Sequence, residues 1–279
     1  MRRFQPTYLF IFLTTMVTLL LGVTSVFSAG GTADRVQANT AASSIVSDDF
    51  DQCTLAATWT FEPGQPGDPA PAFNGTQMIL TAPGGANHDI WSGGIHANRI
   101  VQPLEAGDFE VEVKFASEMD SRYQTRGIIV EDASDNALRF EIHHDGTNYR
   151  LFAASIIGGT ATASHIVTIN GGNPLMMRVG RAGDTWTHSY SFDGTTWESE
   201  SFDMAFAGTR IGPFAGNSSS TPGDEPQHTA VFDYFYNTAA PGPGDSGAAL
   251  HTLVANTSGS GTIVRDPDQE TYGCNQVVT

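Results

Sequence analysis

Leu138-Arg139-Phe140-Glu141-Ile142-His143-His144-Asp145-Gly146 decides how this chain is read. Strict alternation puts Leu138, Phe140 and Ile142 on one face of a strand and Arg139, Glu141 and His143 on the other. Asp145-Gly146 has the chemistry of a hairpin turn, and 149–155 reads as the returning strand. A strand with one apolar and one charged face belongs to an antiparallel sheet that rests on a core along one side. The charged face has two readings, a solvated exterior or a ligand-binding surface, and the residues alone leave both open.

Working outward, strand patterns follow at 59–61, 78–81, 109–115, 127–131, 149–155, 163–169, 175–181, 185–192, 209–215 and 230–236. Phe109-Glu110-Val111-Glu112-Val113-Lys114-Phe115 alternates as strictly as the opening strand. The stretch 63–71 carries four prolines and two glycines and reads as a surface loop. Helical periodicity is absent after the first segment. So many short strands joined by Asp-Gly-type turns imply an all-β fold of two packed antiparallel sheets, a β-sandwich, with an up-and-down barrel as the alternative.

Charge narrows the partners. The chain of 279 residues has 30 acidic and 13 basic side chains, a net charge of −17. Such a surface repels phosphate backbones and anionic lipid, so nucleic acid is not an expected partner. At the N-terminus, Arg2 and Arg3 precede an apolar run over 8–23 and the small residues Ser28, Ala29 and Gly30. That order marks a secretory signal peptide, 1–28. The run is shorter than the ~20 residues of a stable membrane span. The protein is therefore expected to be secreted, extracellular or at the cell surface. Residues 29–46 read as a linker.

Several motifs in sequence carry a family resemblance: Asp48-Asp49-Phe50-Asp51-x-Cys53-x-Leu55 with Trp59, His88-Asp89-Ile90-Trp91, and Gly107-Asp108-Phe109. Arg126-Gly127-Ile128-Ile129-Val130, Leu138-Arg139-Phe140, Arg178-Val179-Gly180-Arg181, Asp193-Gly194 with Trp197, and Val231-Phe232-Asp233-Tyr234-Phe235 continue it. The stretch 47–238 resembles the concanavalin A-like β-sandwich (jelly-roll) domains of secreted bacterial proteins. It is similar to the regulation-of-enolase-like domains and to the sandwich attached to family-43 glycoside hydrolases. The resemblance implies that fold and, by analogy, a carbohydrate presented on one sheet.

After a Pro/Gly linker at 239–248, the stretches 250–254, 259–264 and 272–274 resemble the opening strands of an internalin-type B-repeat, so 249–279 reads as a partial repeat module. An oxidising compartment permits a disulfide between Cys53 and Cys274. Because the two lie in different modules, one of them incomplete, the residues favour unpaired cysteines and leave the bridge open as the alternative.

Catalytic patterns are scarce. Glu110-Val111-Glu112 imitates the alternating acids of sandwich glucanases but lacks the third acid. Glu141 and His143 share a face and could act as base and acid, although Arg139 beside them would hold Glu141 ionised. Binding is the better supported reading. Arg126, Arg139, Glu141, His143, Arg178 and His188 could share one polar face, and Trp91 could offer a flat surface to a sugar ring. The expected role is a non-catalytic carbohydrate-binding or surface-recognition module, a monomer acting on a polysaccharide or cell-surface glycan. A glycan-cleaving enzyme using Glu141 and His143 and a structural spacer are the competing classes. Finally, Asp49, Asp51 and Asp233 are expected to meet where the first and last strands lie side by side. There, as the resemblance also implies, they would hold a structural calcium ion (Ca2+), with Asp48 solvated; the alternative is that Asp49 caps a turn and the others face water.

Overall fold

The computed structural model describes residues 45–91, 93–242, 252–274 and 276–279. The expected signal peptide, nearly all of the first linker and most of the second lie outside them. Strands alone, with no helix, are present among the described residues. They run β1 (Thr60–Glu62), β2 (Ala72–Phe73), β3 (Met78–Ala82), β4 (Ile90–Trp91), β5 (Gly94–Ile95) and β6 (Asn98–Pro103). Next come β7 (Phe109–Phe115), β8 (Gln124–Glu131), β9 (Ala137–His144), β10 (Tyr149–Ile157) and β11 (Thr160–Ile169). The series ends with β12 (Met176–Ala182), β13 (Thr185–Ser191), β14 (Glu198–Asp203), β15 (Arg210–Asn217) and β16 (His228–Asn237).

Two seven-stranded antiparallel sheets result. The front sheet has the order β1-β6-β15-β8-β9-β10-β11, and the back sheet β14-β13-β12-β7-β16-β3-β2. Alternation explains the packing. β9 turns Leu138, Phe140 and Ile142 inward, and β7 meets them with Val111, Val113 and Phe115, all in one continuous core. Fully burying such a side chain contributes roughly 1.5–3 kcal/mol. This is the two-sheet sandwich expected from the sequence.

Strands β6 and β14 were not legible in advance, for opposite reasons. β6 is buried on both faces, polar Asn98, Arg99 and Gln102 included, so its sequence does not alternate visibly. β14, Glu-Ser-Glu-Ser-Phe-Asp, is an exposed edge that pairs only with β13. Residues just before 47 also join the sandwich. Ile45 is in the core, and the Gln102 side-chain amide clamps Val46 through bonds of 2.8 and 2.9 Å. Asp48 then bridges Phe235, which brings the first and last segments side by side as expected.

The C-terminal stretch departs from expectation. Among its described residues, 252–274 and 276–279, there is no strand. Leu250 and His251 of the expected first strand lie outside the described set, while Val254 and Val264 are exposed. Cys274 is joined to Cys53, with 5.2 Å between their Cα atoms. The expectation of unpaired cysteines is thereby corrected. The physical reason is that the tail is not an independent second module but is tied to the start of the sandwich.

The outer face of the front sheet is not simply solvated. Ile129, Ile156 and Phe214 form a second apolar cluster there, covered by Ile90 and Ala97 from the segment 86–97. Asn217 and Asp68 hold that segment through His88. Gly216 permits the close approach, since a Cβ there would lie 2.4 Å from the His88 carbonyl oxygen.

Candidate functional site

A cleft of about 410 Å³ opens on this covered face. Its floor is built from the outward residues of neighbouring strands: Thr125 on β8, Arg139, Glu141 and His143 on β9, and Phe152 on β10. The segment 86–97 supplies one wall with Asp89 and Trp91, and Tyr123 with Ser218, Ser219 and Ser220 supplies the other.

The charges in the floor are buried and mutually satisfied. Arg139 donates to Asp89 at 2.7 Å and to Glu141 at 2.6 Å, and also to the Ile90 carbonyl at 2.5 Å. His143 Nδ1 lies 2.8 Å from the other Glu141 oxygen. Burial pushes the Glu141 carboxyl up, but Arg139 and then His143 outweigh it and hold the group below its ordinary value. Burial likewise works against the Arg139 charge, and Glu141 and Asp89 more than restore it. An ionised Glu141 only accepts, so the proton between the two sits on His143 Nδ1.

Aromatic surface lies beside this network. Trp91 packs 5.9 Å from Phe152, His143 meets Phe152 edge-on at 5.7 Å, and the Arg139 guanidinium is 5.3 Å above the same ring. On the opposite wall Tyr123 has φ of 67°, a left-handed conformation that costs a bulky residue roughly 1–3 kcal/mol.

Of the residues expected at the site, Trp91, Arg139, Glu141 and His143 converge on the cleft. Arg126, Arg178 and His188 do not, and the single shared polar face is corrected. Arg126 pairs in register with Ile142 and so points between the sheets. It is fully buried over the Phe115 ring and donates to Asn173 and the Pro174 carbonyl. Burial lowers its pKa to about 9. His188 also faces the interior, against Phe140 and 3.1 Å from His165. Arg178 belongs to the back sheet, where it bonds Glu112 at 2.6 Å and stacks 3.9 Å from the Trp197 ring.

Asp89, Tyr123, Phe152 and the three serines went unnoticed in the sequence. Phe152 had a signal, because the hairpin closed by Asp145-Gly146 sets it directly opposite Glu141. The serines had none.

Asp49, Asp51 and Asp233 do line one small pocket. Yet among the described residues no three His, Cys, Asp or Glu side chains are grouped to hold a metal ion. Asp233 is already engaged by Lys114 at 2.6 Å and Gln77 at 3.2 Å, so the charge a cation would balance there is met by an ammonium. The arrangement fits calcium poorly. Asp48 is half-buried rather than free in water, since it accepts from Trp59 Nε1 and from the Phe50 amide, both at 2.8 Å.

No helix among the described residues is long and apolar enough to cross a membrane. Comparison with solved structures finds the GH43 BlXynB protein from Bacillus licheniformis at 20% identity and a TM-score of 0.52, over 68% of this chain and 38% of that one. Bacteroides ovatus xyloglucan PUL GH43B aligns at 16% identity and 0.52, with the same 68% and 38% coverage. A functionally unknown protein from Saccharomyces cerevisiae aligns at 16% and 0.50, over 64% of this chain and 96% of that one. At such identities the likeness is one of fold. This chain thus spans little more than a third of the two GH43 proteins. No curated protein matches it. Residues 47–237, which take in every strand of both sheets, match the beta xylosidase C-terminal concanavalin A-like domain, and the chain belongs to that family.

Proposed function

We propose that the front-sheet cleft binds a neutral glycan and that the domain serves as a non-catalytic carbohydrate-binding module of a secreted protein. The observation that carries this reading is the pairing of Trp91 and Phe152 with donors and acceptors already fixed in place by Asp89, Arg139, Glu141 and His143. Sugar rings offer apolar faces and directional hydroxyls, and a pre-ordered polar floor binds them at little entropic cost. Two carboxylates surround one guanidinium, so uronates and sulfated sugars meet like charge and are disfavoured. Membership of a family named for beta xylosidases makes xylose-based chains the first probes.

Hydrolysis has weaker support. Both oxygens of Glu141 are engaged by Arg139 and His143, so neither is free to take a proton from water as a general base. Asp89 is bound to the same guanidinium. Titration calorimetry with neutral and uronate oligosaccharides, run beside a reducing-sugar assay, tests the proposal. Binding of neutral chains without product release supports it. Release of sugar would establish the Glu141–His143 enzyme reading instead, and no binding by any glycan would favour a spacer.

A further inference from the structure

We propose that the ligand is an extended oligosaccharide that crosses Tyr123 into a second cleft, giving the binding surface at least two sugar subsites. This rests on the glycan reading above and adds a site to it. The second cleft, about 240 Å³, is lined by Ser121, Arg122, Asp224 and Pro226. It shares Tyr123 and the three serines 218–220 with the first. Two cavities that share a ridge of this kind form one groove with a waist, and the waist is an aromatic residue.

The ridge is held as if for contact rather than for packing. Tyr123 belongs to neither apolar cluster, yet it keeps its left-handed backbone. Its amide donates to the His144 carbonyl at 2.7 Å, and its own carbonyl accepts from the Ser218 amide at 3.1 Å. Arg122 donates to the phenol oxygen at 2.6 Å and lies 4.4 Å over the ring. A strained aromatic fixed from three sides on a cleft rim is a site where strain serves function.

Arg122 supplies the second observation. In a chain with 30 acidic residues it makes no ion pair with a carboxylate among the described residues. Only its Nη2 is engaged, so the donors on Nε and Nη1 remain for hydroxyls of a second sugar. Asp224 and the serine hydroxyls provide acceptors across the same cleft. The first cleft orients one sugar against Trp91 and Phe152, and the second receives the next along the chain.

The test is calorimetric titration with linear β-1,4-linked xylose, glucose and mannose chains, from monosaccharide to hexasaccharide. Affinity should rise by about tenfold between mono- and disaccharide, the scale of adding one or two hydrogen bonds. Arg122→Ala with Asp224→Ala should remove that gain and leave monosaccharide affinity intact. Tyr123→Gly, which relieves the backbone, should weaken long chains while the melting temperature holds or rises. Equal affinity at all lengths, or a length gain that survives the double variant, would overturn the second subsite. A Tyr123→Gly melting temperature that falls along with affinity would make the ridge merely structural. If no chain of any length binds, the glycan reading itself fails, an outcome distinct from short chains binding as well as long ones.

Discussion

The two sheets carry the same ion pair on their outer faces with different consequences. Arg139 and Glu141 on the front sheet meet at 2.6 Å, as do Arg178 and Glu112 on the back. The front side chains are 6% and 1% exposed, and the back ones 30% and 13%. Both pairs come from alternating strands whose inward residues share one core. The difference lies in what covers them. The segment 86–97 lies over the front sheet and turns its charges into the floor of a cleft, whereas Arg178 lies against the Trp197 ring with no such segment described over it. Alternation shows which side chains leave the core, and the loops decide whether they become a site.

Breaking the two pairs in parallel should give the largest contrast. Glu141→Ala strands a buried guanidinium and should cost about 3–5 kcal/mol in denaturant unfolding. Glu112→Ala should cost no more than about 1 kcal/mol, as for a water-screened pair. Equal losses would mean that the cover does not isolate the front face.

Cys274→Ser acts on neither face and serves as the control. Opening a link between residues 221 apart in sequence should lower stability by about 2–4 kcal/mol and leave glycan affinity unchanged. A loss of affinity would tie the tail to the cleft.

Acid should separate the cleft from the interior. His165, His188 and His228 all have depressed pKa values, chiefly through burial, with His228 lowered to about 3. Each is neutral when folded, while the unfolded chain takes up protons from about pH 6.5 downward. Their stability contribution is therefore complete above about pH 6.5 and is lost as pH falls toward the folded values. Glu141, also depressed, adds stability that is present above about pH 4.3 and is lost only as pH drops through its lower folded value. His188→Phe should flatten the upper part of the stability–pH curve between about pH 6.5 and 5 and leave the lower part in place. A curve unchanged by that variant would contradict the assignment.

The smallest effect is expected at the acidic edge. Millimolar calcium against excess chelator should leave the melting temperature unchanged, because Lys114 already neutralises Asp233. A calcium-dependent rise abolished by Asp233→Ala would restore a cation site at this edge.

Much of this was readable in advance, and the failures have physical causes. Period-two patterning located β7, β9 and their partners because one face of each is apolar. The same parity could have removed two candidates. Arg126 is in phase with Ile128 and Val130, and His188 with Trp186 and Tyr190, all of which face the core. Apolar Ile129, on the outward face of β8, hid the first case. Arg178 could not have been excluded this way, since alternation gives a face and not a sheet. Trp91, Arg139, Glu141 and His143 were recognisable from side-chain chemistry. The three serines and Tyr123 reach the cleft through loop geometry, which no local pattern encodes.

One titration sets the two faces against each other most directly. The best-binding oligosaccharide is titrated into the wild-type protein, Trp91→Ala and Trp197→Ala. Loss of about tenfold or more in affinity for Trp91→Ala, with Trp197→Ala unchanged, is the expected result. Binding lost on Trp197→Ala and kept on Trp91→Ala would place the glycan on the back sheet and contradict the cleft as the site.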